Sequence, residues 1–526
     1  MKNTIRSMLL AASALMVVTA CTDPTVAPKS SVSSANIFSE EASYKAFLAK
    51  IYAGLAVSGQ QGPAGNGDIS GLDEGFSQYM RLWWQMEELP TDEAAISWND
   101  GPLQELNTQI WASSNSFLGS MYYRIYFQVG LVNEFLRETT DAKLSSRGVS
   151  AAMTAEIKKY RAEARFLRAY SYWHAMDLFG PVPLVKETDE VGKTPPAQAT
   201  RGEVFNYVVS ELTAIRSDLA APGAAEYGRV DQGAVAMLLA KVYLNAAVYS
   251  GTAKYAEALA EAQRVIAGSY RLDANFRRMF SADNNTSPEL IFAIQQDGDK
   301  IQTWGGMTFL VHAQVGGSMN AGDFGIDGGW WGLRTKPTIA ALYPTAGPTS
   351  PDKRSSFFVF SGFSGNVTNL TDYTTGIGSP KYTNVTSTGA KGKNSTFVDT
   401  DFPVFRLGDA YLIYAEAMLR GGGGTRAQAL AYVNALRDRA YGNTAGQITD
   451  AQLTTAFILD ERARELFWEG TRRTDLIRYG QFSTAGVWQW KGGIAAGRVT
   501  EAFRDLYPLP ASELIANPKL KQNPGY

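Results

Sequence analysis

Histidine and cysteine are almost missing from the sequence. Its 526 residues include two histidines, His174 and His312, and one cysteine, Cys21. Two imidazoles leave few ligands for a histidine-based zinc site and few candidates for the base of a nucleophilic triad. One cysteine cannot form a disulfide within its own chain. The sequence therefore argues against imidazole chemistry and against a disulfide scaffold.

An excess of charge of either sign is also missing. There are 49 Lys and Arg residues against 51 Asp and Glu, a net charge of −2, and no block of five or more like charges occurs. Binding to a phosphate backbone needs a basic patch, so nucleic acid is not an expected partner. After residue 21 no stretch reaches 18 consecutive apolar residues, which argues against a membrane-spanning helix there. The content that is present, 45% hydrophobic and 12% aromatic residues, is typical of a globular protein.

The beginning of the chain is typical of a secretory signal peptide. Lys2 and Arg6 form a positive region, residues 8–18 form an apolar run, and a small residue precedes Cys21. The apolar run is too short for a transmembrane helix, which needs about 20 residues. We therefore predict that residues 1–20 are a signal peptide and are removed.

The cysteine at this place resembles the lipobox of bacterial lipoproteins. That resemblance implies that Cys21 carries the lipid anchor, and its three acyl chains exceed the two membrane signals that stable anchoring requires. Residues 21–34 are rich in Ser, Thr, Pro and Lys, which predicts a flexible lipidated tether. We expect the membrane to be a partner through this anchor.

Helical periodicity dominates much of the remaining chain. Apolar residues recur at spacings of three and four over residues 154–179, and Gly180-Pro181 ends the run. Thr200 and Glu203 form a capping box that predicts the start of a second amphipathic helix. Charges of both signs crowd residues 458–480, and the aromatic residues between them favour a packed ion-pair network over a ligand site.

Two further regions predict antiparallel helical hairpins, with alanines where the helices approach each other. They comprise residues 233–249 with 255–267, and 409–420 with 426–440. Their shared Tyr and Ala spacing resembles tetratricopeptide hairpins, although the copies are irregular and far apart in the chain. We predict a helical scaffold built from several such pairs.

Loop composition, rich in Gly, Ser, Thr and Asn, fills residues 281–401, with one predicted strand at 290–294. A second loop-rich stretch covers residues 58–75. Long irregular segments in compact proteins are more often functional than idle. We therefore expect the ligand site to lie in these segments.

Several separated segments together resemble the SusD/RagB family of outer-membrane nutrient-binding lipoproteins. The most specific are RAEARFLRAYSYWHAMDLFGPVPLV at 161–185, ILDERARELFWEGTRRTDLIRYG at 458–480 and YPLPASELIANPKLKQNPGY at 507–526. Residues 52–65 and 85–101 add to the match. The resemblance spans the mature chain in the expected order.

This resemblance implies a mainly α fold of the SusD-like type. Tetratricopeptide-like helical hairpins would form the scaffold, and a loop-rich, few-strand region would carry the ligand contacts. Residues 35–526 would be a single SusD-like domain with a loop-rich insert at about 281–401. The family resemblance further implies a lipid-anchored, surface-exposed protein of the outer membrane that captures oligosaccharide or polysaccharide. It would deliver the glycan to a SusC-like TonB-dependent β-barrel transporter, without catalysis and without a cofactor.

Sugar recognition requires flat apolar rings flanked by planar hydrogen-bonding groups, so we searched the loops for tryptophan beside Asn, Asp or Arg. Trp98, Asn99 and Asp100 precede a turn glycine outside any helical pattern, and they are the first candidates for ligand binding. A turn whose tryptophan only covers the core is the alternative. Asp92 would be a polar partner if the loops converge.

Glycine-flanked tryptophans in the second loop-rich region are the next candidates. Trp304, Trp330 and Trp331 lie beside glycines that allow close backbone approach and sharp turns. Arg334 follows them as a further polar partner. Packing of these rings in the core is an equally supported alternative.

Three other functions stay open from the sequence. A peptide-binding member of the same family would share the scaffold but not the sugar-suited aromatic loops. A glycoside hydrolase needs only two carboxylates about 5–9.5 Å apart, and pairs such as Asp399 with Asp401 or Glu87 with Glu88 are expected by chance among 51 acidic residues. A purely structural surface module is the third.

A metal site has weak support. Asp283, Asn285, Ser287 and Glu289 alternate as in a calcium loop, but the glycine and the twelfth-position glutamate that such a loop requires are missing. Calcium is therefore a candidate ligand only at this segment.

Overall fold

The computed structural model of the protein describes residues 37, 38, 40–63, 65 and 67–526. The chain divides into two compact units, residues 1–44 and 45–526. In the first unit the rings of Phe38 and Tyr44 pack with centroids 5.1 Å apart. The predicted signal peptide, Cys21 and the tether lie outside the described residues, and the predicted domain start at residue 35 stays a prediction.

Helices make up most of the regular structure. They are α1 (Glu41–Ala56), α2 (Tyr79–Glu88), α3 (Leu103–Thr108), α4 (Ser116–Glu138), α5 (Asp141–Ser146), α6 (Ala151–Phe179), α7 (Arg201–Ile215), α8 (Gln232–Leu244), α9 (Ala246–Ser250), α10 (Tyr255–Ile266), α11 (Gly306–Ala313), α12 (Pro337–Ala340), α13 (Leu407–Leu419), α14 (Arg426–Tyr441), α15 (Thr455–Leu466), α16 (Arg472–Arg478) and α17 (Ala511–Ala516). Short 3₁₀ turns lie mainly in the loops after α10. Within the described residues, no helix is both long enough and apolar enough to cross a membrane.

Strands are few and short, as expected. They are β1 (Ala95–Ile96), β2 (Val182–Pro183), β3 (Gln198–Ala199), β4 (Leu290–Ile294), β5 (Leu333–Arg334) and β6 (Phe402–Arg406). Three antiparallel pairs form, β1 with β5, β2 with β3 and β4 with β6. The predicted strand at residues 290–294 is confirmed, with all five of its residues buried.

The predicted helical scaffold is present. Helix α10 packs against both α8 and α13, and α13 packs against α14, while α6 lies between α4 and α7. Ala258 and Ala262 of α10 are fully buried, because small side chains let the neighbouring helices approach closely. Both predicted hairpins are therefore confirmed as neighbouring helix pairs within one larger layer.

Local signals for helix ends are also confirmed. The side chain of Ser150 caps α6 by accepting a hydrogen bond from the Met153 amide, and Gly180 ends the helix at φ +72°. Thr200 and Glu203 form the predicted capping box at the start of α7. The long α6 begins three residues earlier than the periodicity predicts, because the helix extends back to its serine cap.

The charged segment at 458–480 forms the predicted network, but its pairs connect different elements. Glu465 of α15 accepts hydrogen bonds from Arg406 at 2.7 Å and from Arg354 at 2.9 Å. Glu469 pairs with Arg406 at 2.6 Å rather than with a residue one helical turn away. Neighbouring guanidinium groups hold the pKa of Glu465 well below its usual range, although burial alone would raise it. The network therefore joins α15 to β6 and to the loop before it.

Helix α2 is buried along its whole length. Trp83 and Trp84 both lie in the interior, and the Trp84 indole N–H donates to the Trp468 carbonyl oxygen at 3.0 Å. Such complete enclosure is unusual for a short helix that carries charged residues. It places the first turn of α2 directly behind the loops in which the site was expected.

Candidate functional site

The rings of three predicted tryptophans lie side by side. The ring centroids of Trp98 and Trp330 are 6.3 Å apart with 42° between their planes, and those of Trp330 and Trp304 are 6.2 Å apart at 47°. Trp98 and Trp330 are half-buried, while Trp304 is 41% exposed. We call these three rings the aromatic surface. Loops that are more than 200 residues apart in the chain converge here, which is the condition for one shared site.

Pairing of β1 with β5 brings the first two rings together. Ala95 pairs with Arg334 and Ile96 with Leu333, and beyond the strand the Ser97 amide donates to the Gly332 carbonyl at 2.9 Å. The Trp98 indole N–H then donates to the Trp330 carbonyl oxygen at 2.9 Å. Both tryptophans are therefore fixed by the same short ladder.

Gly332 makes this approach possible. A Cβ atom on Gly332 would lie 2.8 Å from the Trp98 ring, which is closer than real Cβ contacts allow. The indole of Trp98 consequently packs directly against the backbone of residue 332. In the sequence, glycines beside tryptophans indicated this site. The close packing of the Trp98 ring on the backbone is the physical reason for a glycine at residue 332.

The loop at residues 58–75 supports Trp304 from the other side. The Trp304 amide donates to a Glu74 carboxylate oxygen at 3.0 Å, and the Ser58 hydroxyl donates to the second oxygen of Glu74 at 2.8 Å. Phe397 packs against the Trp304 ring with centroids 5.0 Å apart. Both predicted loop-rich stretches thus contribute to one site.

His312 stacks on Trp330 and ties two segments together. The two rings lie 4.6 Å apart at 25°. The His312 Nδ1 lies 2.6 Å from the Gly328 carbonyl oxygen, and Nε2 lies 2.9 Å from that of Thr396. Burial lowers the pKa of His312, although both carbonyl contacts oppose this shift. The fully buried histidine thus positions Trp330 from the interior.

Arg81 is a candidate site residue that the sequence did not indicate. It lies in the first turn of α2, with its guanidinium carbon 5.7 Å from the Trp98 ring centroid and 4.2 Å from that of Phe309. Its buried Nε has no hydrogen-bond partner, and no ion pair of Arg81 occurs in the part of the chain that the structure describes. Burial lowers the pKa of Arg81 to about 10, against the opposing effect of nearby carboxylates led by Asp73 and Asp100. The Arg81 guanidinium, whose Nε has no hydrogen-bond partner among the described residues, therefore lies next to the aromatic surface.

Asn99 and Asp100 continue from Trp98 as exposed side chains. Gln104 donates to the Trp98 carbonyl oxygen at 2.7 Å, which fixes the backbone just before them. Asp100 is near enough to Arg81 to raise its pKa. The two predicted polar residues thus lie at the edge of the aromatic surface, where a bound molecule would meet them.

Asp92 and Arg334 need correction as candidate ligand contacts, because both are buried and hydrogen-bonded to other parts of the chain. The Asp92 carboxylate pairs with Arg472 through two hydrogen bonds of 2.8 Å. Arg334 is completely buried and donates to the backbone carbonyls of Thr375 at 2.8 Å and Leu370 at 2.7 Å. Their roles are structural.

Trp331 stands apart from the other candidates. It is 51% exposed, and its ring contacts Tyr373 with centroids 5.8 Å apart rather than the aromatic surface. The chain therefore brings together Trp98, Asn99, Asp100, Trp304 and Trp330, and directs Trp331 to a neighbouring face.

The carboxylate pairs considered for hydrolysis are held by other groups. Asp401 accepts hydrogen bonds from the Tyr227 hydroxyl and the Gln296 amide, each at 2.6 Å, and burial raises its pKa to about 6. Asp399 accepts from the Gly298 amide at 2.9 Å. Burial raises the pKa of Glu87 to about 8 in the interior of α2. These carboxylates serve the fold at their present positions.

The segment considered for calcium does not converge on one point. Asp283 accepts hydrogen bonds from the Ser387 amide at 2.7 Å and hydroxyl at 2.6 Å. Glu289 pairs with Arg406 and Arg439, each at 2.9 Å. Over the described ranges, no group of three or more His, Cys, Asp or Glu residues could hold a metal ion.

The fold and the site define a helical binding protein with an aromatic surface formed by loops. Comparison with known families agrees: a model described as the SusD family matches residues 351–526, and one described as starch-binding associating with outer membrane matches residues 72–244. The starch-binding protein SusD of Bacteroides thetaiotaomicron is 32% identical over 525 aligned residues, which cover 91% of each chain. The protein belongs to the SusD family.

Solved structures show the same fold. A SusD superfamily protein from Bacteroides thetaiotaomicron superimposes with a TM-score of 0.71 at 20% identity, covering 92% of this chain and 99% of that one. Surface glycan-binding protein A of the same organism, solved with laminarihexaose, gives a TM-score of 0.69 at 20% identity over 91% and 98%. The expected family and fold class are thereby confirmed. The curated relative is named a starch-binding protein and the matching family model is described as starch-binding, so membership of this family supports binding rather than catalysis.

Proposed function

We propose that the protein captures a glycan on the aromatic surface and delivers it to a SusC-like TonB-dependent transporter of the outer membrane, without breaking a bond. Cys21 would hold it at the cell surface through its lipid anchor. The observation that carries this proposal is the continuous row of Trp98, Trp330 and Trp304 beside the unpartnered guanidinium of Arg81.

The chemistry of the aromatic surface suits a sugar. Each indole offers a flat apolar face to the C–H side of a pyranose ring, and the tilt of about 45° between neighbours lets successive rings follow a curved chain. Arg81, Asn99 and Asp100 supply donors and acceptors for hydroxyl groups at the edge. A few polar groups around apolar walls are the usual composition of a small-molecule site.

Relatives indicate which glycans to test first. One curated relative is named a starch-binding protein, and one solved relative holds laminarihexaose. Both ligands are glucans that differ in linkage. We therefore take short α-glucans and β-glucans as the first probes for this protein.

Calorimetric titration of the chain from Thr22 onward tests the proposal. We expect saturable binding of maltoheptaose or laminarihexaose with a Kd of about micromolar or weaker, since each stacking contact contributes about 0.5–1.5 kcal/mol. Trp304→Ala should weaken this binding about tenfold or less, because one ring is lost. Ile515→Ala, an exposed apolar side chain on α17, is the control and should bind normally.

Other outcomes would redirect the proposal. Binding of peptides without binding of glycans would place the protein in the peptide-capturing branch of the family. Binding of neither class by the wild type would contradict a site that is complete in this chain.

The anchor and the delivery step have their own test. Cys21→Ser should abolish labelling by radioactive palmitate and release the protein from the membrane fraction. The wild-type protein, extracted in mild detergent, should carry a β-barrel transporter with it. A membrane-bound, unlabelled wild type would contradict the lipid anchor.

A further inference from the structure

Two adjacent tryptophans of one loop face different surroundings. Trp330 contacts Trp98, Trp304 and His312, whereas the ring of Trp331 contacts Tyr373 and leaves half of its area in solvent. The left-handed backbone at Trp331 accompanies this divergence of the two side chains. It does not account for so large an apolar ring being kept exposed.

The backbone at Trp331 is held in an unfavourable conformation. Its φ of +53° lies in the left-handed region, which bulky residues rarely adopt. The Trp331 amide donates to the Val315 carbonyl at 3.1 Å, and the Ser97 hydroxyl donates to the Trp331 carbonyl at 2.5 Å. Strained backbone conformations of this kind are concentrated at functional sites, where contacts with the surrounding structure hold them in place. Here it serves to present a half-exposed indole, since burial of the ring does not compensate for it.

Two further aromatic rings complete this face. Phe363 packs edge-on against Tyr373 with centroids 5.4 Å apart, and the Tyr373 hydroxyl donates to the Gln314 carbonyl at 2.7 Å. We call the rings of Trp331, Tyr373 and Phe363 the Trp331 platform. The buried Tyr373 is thus a fixed support between the two more accessible rings.

Glycine allows the platform to assemble. A Cβ atom on Gly316 would lie 2.6 Å from the Trp331 ring and 2.9 Å from the Tyr373 ring, so no other residue fits without displacing them. A Cβ atom on Gly317 would be 3.6 Å from the Phe363 ring. The platform is therefore formed before any ligand arrives.

We propose that the Trp331 platform is a second glycan subsite, which binds sugar units of the same chain beyond those on the aromatic surface. This inference rests on the proposed glycan binding. Continuity supports it, because residues 328–332 carry Trp330 to the aromatic surface and Trp331 to the platform. A glycan that is long or branched enough to pass over this loop would contact both the aromatic surface and the Trp331 platform.

The surroundings favour a sugar over a protein partner. Between residues 310 and 380 the large apolar side chains that are exposed are Trp331 and Phe360, and Ser318, Asn320 and Ser361 around them are exposed and polar. Protein interfaces have a contiguous apolar centre, and patches that mark them extend over several hundred Å². A small group of rings with few exposed apolar neighbours matches the stacking of single sugar units.

A chain-length series with the full-length protein tests the inference. The probes are maltotriose with maltoheptaose and laminaritriose with laminarihexaose, titrated by calorimetry. We expect Trp331→Asn to weaken binding of the longer member about three- to tenfold and to leave the shorter member within about twofold. Trp304→Ala should weaken both. Asn tolerates the left-handed conformation, so Trp331→Asn should keep the wild-type melting temperature within a few degrees.

Three other outcomes would contradict the second subsite. Equal losses for short and long probes in Trp331→Asn would overturn the second subsite, because Trp331 would then belong to the first. Unchanged affinities in Trp331→Asn, with losses in Trp304→Ala, would overturn this inference alone and leave the proposed function intact. No binding by the wild type would overturn both. As a second variant, Phe363→Ala should reproduce the selective loss for the longer probe.

Discussion

His312 lies stacked on Trp330 with ring centroids 4.6 Å apart, while its Nδ1 lies 2.6 Å from the carbonyl oxygen of Gly328, two residues before that tryptophan. One buried side chain thus fixes both the ring and its loop. The second ring nitrogen contacts Thr396, next to the Phe397 that packs on Trp304. The orientation of the aromatic surface therefore depends on a residue that no ligand can reach.

Replacing this histidine should separate ring packing from hydrogen bonding. His312→Phe keeps a flat ring against Trp330 but removes the imidazole N–H that a neutral His312 can donate to the Gly328 or the Thr396 carbonyl, so we expect the free energy of unfolding to fall by about 1–3 kcal/mol. Glycan affinity should fall several-fold, because the loop is no longer fixed. Urea unfolding and calorimetric titration measure the two effects. His174→Phe, at the other buried histidine, is the control and should affect stability without a comparable loss of affinity.

Substitution of a single glycine should disturb Trp98. Gly332→Ala places a methyl group 2.8 Å from the indole, and overpacking of this kind costs about 1–3 kcal/mol. We expect a lower melting temperature together with weaker glycan binding. The matched control is Gly328→Ala in the same loop, where a Cβ atom meets nothing within 4 Å. Equal behaviour of the two variants would contradict the packing argument.

Much of this arrangement was predictable from local sequence patterns. The helical periods, the capping box at Thr200 and the strand at residues 290–294 depend on neighbours in the chain, and the structure confirms them. Trp98, Trp304 and Trp330 were site candidates because each lies beside or near a glycine in an irregular segment, although packing in the core was an equally supported alternative. Such features are encoded within a few residues of one another.

The errors concern partners that are distant in sequence. Asp92 is paired with Arg472, which lies 380 positions further along the chain, and no local pattern reveals that contact. Arg81 was overlooked because it lies in a helix, whereas the ligand contacts were expected in irregular segments. The sequence contained one signal, an arginine close to Asp73 and Glu74 at the end of a loop-rich stretch. Only the folded structure shows that this arginine has no acceptor.

Acid should destabilise the protein through His174. Burial lowers the pKa of His174 to about 3, and its Nε2 has no hydrogen-bond partner. Below the usual histidine pKa of about 6.5, His174 is protonated in the unfolded chain but stays neutral in the folded chain. Protonation therefore favours the unfolded state, and the free energy of unfolding decreases as the pH falls from about 6.5 toward 3. Chemical unfolding of the wild type and His174→Phe between pH 7.5 and 4.5 measures it. The stability difference, wild type minus variant, should decrease with falling pH, and a constant difference would contradict the assignment.

Arg81 should show opposite effects on stability and on binding. Met is close to Arg in length and keeps an apolar side chain beside Phe309, so Arg81→Met removes the charge, the donors and the guanidinium contact with that ring. A buried charge without a partner is unfavourable, and we therefore expect the free energy of unfolding to stay constant or to rise. Hydrogen bonds from a charged donor contribute about 1.5–3 kcal/mol, so glycan affinity should fall roughly ten- to a hundredfold.

Arg124 offers a matched control, because it is equally buried but fully hydrogen-bonded. Its guanidinium donates to the Ser77 carbonyl at 2.6 Å, to the Ser58 carbonyl at 2.9 Å and to the Ser77 hydroxyl at 2.9 Å. Arg124→Met leaves these acceptors unpaired and should destabilise the fold in urea unfolding. If Arg81→Met were destabilised to the same extent, or bound glycan as the wild type does, Arg81 would be a structural residue. A stable Arg81→Met that no longer binds is the expected result, because this guanidinium lies beside the aromatic surface without an acceptor of its own.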